Sequence, residues 1–541
     1  MKKNKLFLAM AIALALGVSS CGNENIDINP NKTTHNDSYE ERLDTTPKDA
    51  KAYKKDIKEP FSIETKDGIY ETYSDQGGIV YKIIESGLYS LKGALIHGRI
   101  EIDGDIDVEL ELSGVKITNS YNAPIFAKNA RTLKVRALED TYNEIIDERN
   151  QKTIDNEAYG EAAIYAKCDL KISGRGALVI EGGYNNAIAS TDDLNIKNII
   201  LNATSIKNCL RGNDSVTIES GDIIAISTLG DGIKSDNSDV SGKNNQHGTI
   251  HILGGTILID ALEDGIDSAY DVDIFNGVSL TITTGRIQYS SIVPQELNPE
   301  LSSKGIKASN TITIYGGTIK ILSKDDCIHA NGNVLIESES KGGLGDVTIN
   351  GGYIDLFSHD DGIHADGIFT LNGGNVSISN AVEGVEANIV NVNGGDMYIK
   401  AYNDGLNATY GKYDPVVNVT GGILNIMVSG GDVDGIDSNG SYIQEGGIVI
   451  LRSKANDING MVLDTIGDIN ITGGTFIGVG SIMDYAIDNK RLYDSSLSLD
   501  KGTYYIKNTN IKIVMEEELT GIYIASSEIA SVKIEDIEKV A

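Results

Sequence analysis

The chain has 541 residues and a formal net charge of −32, with 60 glycines, 7 prolines and no tryptophan. A nucleic-acid backbone is gripped by clustered Lys and Arg, so this charge excludes nucleic acid as a partner and calls for cations instead. The apolar residues are largely Ile, Val and Leu in short alternating stretches, which favours many short strands in one long repeat over several compact cores with long helices.

Residues 1–21 read as an export signal. Lys2, Lys3 and Lys5 precede an apolar core from Leu6 to Leu16, too short to span a bilayer, and small residues lead to Cys21. Val18-Ser19-Ser20-Cys21 resembles a bacterial lipobox, with Val18 where that pattern prefers Leu, which makes Cys21 the expected lipidation site. The expectation is an exported protein on the outer side of a bacterial membrane, touching it only through an N-terminal lipid anchor. Residues 22–60 are polar and aperiodic, as in a flexible tether.

A repeat follows. Glycine pairs start at Gly254, Gly316, Gly351, Gly373, Gly394, Gly421, Gly446 and Gly473, each leading into alternating residues such as Thr318-Ile319-Lys320-Ile321. An acidic-Gly-apolar motif comes next, as in Asp264-Gly265-Ile266, Asp361-Gly362-Ile363, Glu383-Gly384-Val385 and Asp404-Gly405-Leu406. Both motifs step together: Gly351 to Gly373 is 22 positions and Gly373 to Gly394 is 21. Each unit offers three short strands, none able to bury its apolar face alone, so successive units must stack. The predicted fold is an all-β, right-handed parallel β-helix over residues 61–480, a solenoid with three short strands per coil. Glycines at its corners supply positive φ. Beyond Gly480 the period loosens, and residues 481–541 read as a strand-rich C-terminal cap. Cys168, Cys209 and Cys327 are odd in number and widely spaced, and read as buried single thiols.

Within the acidic-Gly-apolar motif the apolar residue points inward and the residue after it outward. The corner column then reads Asp231, Asp264, Lys304, Asp326, Asp361, Glu383, Asp404 and Asp434, with Asp325 and Asp360 beside two corners. The outward column reads Lys234, Asp267, Lys307, His329, His364, Glu386, Asn407 and Asp437. Carboxylates stacked at inter-strand spacing repel by about 1 kcal/mol per pair even in water, and a divalent cation reverses that sign. Hard oxygen donors in this number suit Ca²⁺. The expected ligands are Asp231, Asp264, Asp267, Asp325, Asp326, Asp360, Asp361, Glu383, Glu386, Asp404, Asp434 and Asp437. His329 and His364 share a phase and form an alternative chelating pair. Lys304 and Lys307 interrupt the acidic columns, either as ion-pair partners or as the bases of a lyase. Tyr270, Tyr289, Tyr402, Tyr410 and Tyr413, in or beside inserted loops, are candidate sugar platforms. No nucleophile elbow or phosphate-cradling loop occurs, so no catalytic residue is assigned.

Through Gly104-Asp105-Ile106-Asp107-Val108, Ala163-Ile164-Tyr165-Ala166, the acidic-Gly-apolar units and Gly473-Gly474-Thr475-Phe476, the chain resembles the bacterial carbohydrate-binding β-helix family of cellulolytic clostridia. Those proteins are polysaccharide-lyase-like and bind Ca²⁺, cellulose and acidic sugars; the resemblance runs from about Tyr89 to Gly480. It implies a surface protein that binds polysaccharide through a Ca²⁺-loaded β-helix. The rival readings are a Ca²⁺-dependent polysaccharide lyase and a structural adhesin or spacer. Lys304 departs from the family's acidic corners and breaks a continuous metal ladder at that coil.

Overall fold

The structure is a computed structural model that describes residues 46–150, 159–286, 302–336, 339–431, 433–455 and 460–540. The export segment with Cys21, the tether as far as residue 45, and Tyr289 lie outside the described residues. The fold is all-β: 43 strands join one sheet, and among the described residues the only helices are the short 3-10 turns Ala50–Tyr53 and Ile534–Asp536.

Alternation in the sequence becomes alternation in burial. Thr311–Ile314 and Asp346–Ile349 each bury every second residue, with Ile312, Ile314, Val347 and Ile349 fully enclosed. Such strands bury one face each, so they are stable only against neighbours above, below and opposite. The pairing supplies them. Over most of the chain each strand pairs in parallel with the strand three places further on, giving three ladders. One runs through Ile233–Ser235, Ile266–Ser268, Ile306–Ala308 and Ile328–Ala330. A second aligns Val272 with Ile312 and Ile312 with Val347, and a third aligns Ile257, Leu280, Ile319 and Ile354. The inward residues of all three merge into one continuous apolar core. Each enclosed Ile contributes about 1.5–3 kcal/mol relative to exposure, offset by the ordering of its backbone.

The two glycine motifs differ in cause. The second glycine of each pair turns the chain at positive φ, 93° at Gly374 and 77° at Gly395, where a Cβ is strained. Glycine in the acidic-Gly-apolar motif has no positive φ; there the repeats approach too closely for a side chain. A Cβ on Gly232 would lie 2.3 Å from Ile259 Cγ2 and 2.6 Å from the Gly265 carbonyl oxygen. Cys209 and Cys327 occupy this same place, and all three cysteines described are buried free thiols.

Antiparallel strands close both ends. Ser62–Thr65 pairs with Gly87–Ile96, and Leu519–Ser526 pairs with both Ile469–Gly480 and Lys490–Leu499. Gly502–Ile506 joins Lys512–Met515 and Ile537–Val540 in a small separate sheet. The expected tether does not stay free up to residue 60. Ala50 is buried against Tyr142, Ala177 and Val179, its N–H donates to Asn202 Oδ1 at 3.0 Å, and Asn202 Nδ2 donates to Asp49 at 2.6 Å. A small residue next to a capping Asp fits this polar notch on the sheet, which hydropathy alone does not reveal.

Candidate functional site

Both predicted columns are assembled in register. Lys234, Asp267, Lys307, His329, His364, Glu386, Asn407 and Asp437 face one another on successive strands of the first ladder. The corner aspartates lie beneath them and are buried, from 2% exposed at Asp231 and Asp264 to 8% at Asp434, while Glu383 is half-buried. A buried carboxylate must be paired or hydrogen-bonded, and these are.

One oxygen of each corner aspartate accepts from the backbone N–H of the next repeat, whereas Glu383 accepts from the Asn403 and Asn407 side chains. Asp231 Oδ1 accepts from Asp264 N at 3.0 Å, Asp264 Oδ1 from Lys304 N at 2.8 Å, Asp361 Oδ1 from Glu383 N at 3.0 Å and Asp404 Oδ1 from Asp434 N at 2.7 Å. In Asp231, Asp326 and Asp361 the second oxygen turns outward to the side chain three residues on, and in Asp264 it faces Lys307 of the next repeat. Asp231 Oδ2 meets Lys234 Nζ at 2.8 Å, and Asp326 Oδ2 meets His329 Nδ1 at 2.6 Å. The acidic corner is therefore a strand-to-strand clamp before it is anything else.

Charge along the columns is uneven. Lys234 also reaches Asp267 at 2.5 Å, Lys307 lies 3.1 Å from Asp264, and Lys304 bridges Asp325 at 2.7 Å and Asp326 at 3.0 Å. Asp231, Asp264, Asp267, Asp325 and Asp326 thus already hold cationic side chains, and an ion at that end would have to displace ammonium groups. Burial opposes the charge on Lys304 and Lys307, but the facing carboxylates outweigh it and raise both amines, the reverse of what a proton-abstracting base requires.

Past His364 amides replace the ammonium groups. Asn403 and Asn407 donate to Glu383, at 3.3 Å and 3.0 Å, and Met461 N donates to Asp434 at 2.5 Å. Burial, then the charges of Asp361, Glu386 and Asp404, push Glu383 up to about 9; burial and neighbouring acids push Asp434 up to about 8. Asn407 Oδ1 is buried there with no hydrogen-bond donor. An acceptor left over among crowded carboxylates is open to an oxygen-seeking cation, which the Lys-filled half is not.

Between the two halves stand His329 and His364, with parallel rings 4.3 Å apart between centroids. His364 Nδ1 lies 3.4 Å from both Asp361 and Glu386. Beside them opens a groove of about 430 Å³, lined by His364, Asp366, Glu386, Tyr410, Lys412 and Leu344 among others. Two inserted loops frame it: Lys412 Nζ donates to the Gly343 carbonyl at 3.2 Å, while Asn388 Oδ1 holds Lys412 N at 2.6 Å.

Of the candidate tyrosines among the described residues only Tyr410 lines this groove, 67% exposed; Tyr402 is exposed elsewhere, and Tyr270 and Tyr413 are half-buried. Asp360 lies beside Asp325 and Asp326, close enough for the three to share an ion. Asp366 was missed in the sequence because it falls outside the repeat's two columns.

A family model described as carbohydrate-binding domain-containing protein matches residues 77–344. A carbohydrate-binding domain-containing protein of Acetivibrio thermocellus is 32% identical over 118 residues, 21% of this chain. The matched stretch spans 41% of that relative's length. Among solved structures, the polysaccharide lyase-like protein from C. thermocellum, in a gadolinium derivative, is 32% identical, covering 40% of this chain and 84% of its own, with a TM-score of 0.36.

Proposed function

We propose that this chain binds polysaccharide in the groove beside His364 and Glu386, with Ca²⁺ held by the neighbouring carboxylates. The observation that carries this reading is the groove itself: a space the size of a sugar segment, with an exposed aromatic face at Tyr410, a cation at Lys412 and carboxylates on its floor. The carbohydrate-binding family match and the Acetivibrio thermocellus relative support the same class of ligand.

The scaffold in this reading is a parallel β-helix, supported by the three in-register ladders in which every third strand pairs. The chain is exported and lipid-anchored through Cys21. Acidic sugar fits best once Ca²⁺ is bound, since bare carboxylates repel a uronate, whereas an ion held at the groove edge beside Glu386 has coordination positions left for a sugar carboxylate. Binding without cleavage is favoured because Lys304 and Lys307 stay charged.

The test is retention of purified protein on pectin and on cellulose, each with Ca²⁺ and with chelator, while unsaturated product is followed in the ultraviolet. The expected result is Ca²⁺-dependent retention on pectin without ultraviolet product. Equal retention with chelator would remove the metal from the reading, and product lost on Lys304→Ala would replace binding by a lyase.

A further inference from the structure

Lys412 lies in the insertion between the strands Leu406–Ala408 and Val416–Val419, outside the residues 77–344 that the family model matches. The insertion is pinned from beneath. Asn388, 4% exposed on the strand Val385–Val392 that also carries Glu386, accepts from Lys412 N at 2.6 Å and from Tyr413 N at 3.3 Å through one side-chain oxygen. Gly411 lets the loop lie this close, since a Cβ there would sit 2.1 Å from Asn388 Nδ2. The ammonium is held from two sides, by the Gly343 carbonyl at 3.2 Å and by the Tyr413 ring, whose centroid is 5.4 Å away. Neither contact is anionic, and among the described residues Lys412 makes no ion pair. An ammonium has three donors, and the one on Gly343 leaves two.

The acids of the groove are matched elsewhere. Glu386 lies 3.4 Å from His364 Nδ1, and Asp366 lies 3.4 Å from His364 Nε2 and 3.5 Å from His329 Nε2. Burial opposes the charge of His364, yet Asp361, Asp366 and the other nearby acids outweigh it and raise it to about 11, so it faces them as a cation. A sugar entering the groove therefore meets paired acids on the floor, an aromatic face at Tyr410 and an uncancelled ammonium at the rim.

We propose that Lys412 is the residue that distinguishes a free uronate from its methyl ester, donating directly to the sugar carboxylate, with Asn388 as the positioning residue that places it. This role rests on the groove reading and narrows the ligand to unesterified uronate chains. A charge-assisted hydrogen bond is stronger than the neutral one an ester could accept, and at an exposed position it weakens with salt.

The test is calorimetry of the full chain with a soluble oligogalacturonate and with its methyl ester, at fixed Ca²⁺ and at low and high salt. Wild type is expected to favour the free acid. Lys412→Gln is expected to lower affinity for the free acid about tenfold and for the ester by less than about twofold, with a shallower salt dependence. Lys412→Arg is expected to keep the preference. Asn388→Ala is expected to lose it as Lys412→Gln does; weakening of both ligands alike would instead make Asn388 merely structural. Tyr410→Ala, expected to weaken both ligands, separates the two readings. An unchanged preference in Lys412→Gln, with both ligands weakened by Tyr410→Ala, would overturn the role of Lys412 alone. Binding indifferent to Tyr410→Ala, or no binding of either ligand by wild type, would overturn the groove and this role with it.

Discussion

At the scale of single residues, Asp264 shows what a corner acid does. One oxygen holds Lys304 N and the other faces Lys307, while the residue is 2% exposed. Asp264→Ala leaves an orphaned N–H and takes from Lys307 its nearer carboxylate, Asp267 staying at 3.6 Å, and is expected to cost about 1–3 kcal/mol in urea unfolding; Asp264→Asn keeps an acceptor for the N–H and should cost less. Glu383 supports a pH prediction. Unfolded carboxylates lose their protons near about pH 4, but folded Glu383 and Asp434 hold theirs to about 9 and about 8. Between those limits the folded chain binds more protons than the unfolded one, so stability falls as pH rises. His364 works in the same direction: burial opposes its charge, yet Asp361, Asp366 and the other nearby acids raise it to about 11. In chelator the urea midpoint is therefore expected to drop between about pH 5 and about pH 9, and Glu383→Gln to flatten that drop. A flat wild-type profile would contradict the burial of uncompensated acid. Spacing alone revealed the corner acids and their outward neighbours. Ion pairing was open to Lys304 and Lys307 from their places in the columns, but the bridging of Asp231 and Asp267 by Lys234 was not visible, because it depends on which side chains bend across strands.

At the scale of elements, the glycines and the end strands set the limits of the repeat. A Cβ on Gly384 would lie 2.4 Å from both the Gly405 carbonyl and Ile399 Cγ2, whereas one on Gly242 meets nothing within 4 Å. Gly384→Ala is expected to cost about 1–3 kcal/mol and Gly242→Ala less than about 0.5 kcal/mol, measured as urea midpoints. Both glycine motifs are visible in the sequence, but their causes are not: positive φ and close approach look identical until the neighbouring repeat is in place. Deleting residues 481–540 would uncover the edge of Ile469–Gly480 that Leu519–Ser526 now pairs. An unpaired edge templates association, so the truncated chain is expected to elute as oligomers in size-exclusion chromatography.

At the scale of the whole molecule, the formal charge of −32 is managed in two ways along one edge. Toward the N-terminal side of the His pair the acids hold Lys side chains; toward the C-terminal side Glu383 and Asp434 accept from Asn403, Asn407 and the Met461 N–H instead. The groove lies at that change. The strand pattern and the acidic edge were legible from period and composition. The groove was not, because the loops that frame it are insertions whose meeting, through Lys412 and Gly343, only the folded chain defines. Retention on polygalacturonate in Ca²⁺, compared between wild type and Tyr410→Ala, tests the central claim most directly, since Tyr410 is exposed and its loss leaves the fold intact. Affinity is expected to fall about tenfold on removing that aromatic face, and equal retention of the two proteins would contradict sugar binding in this groove.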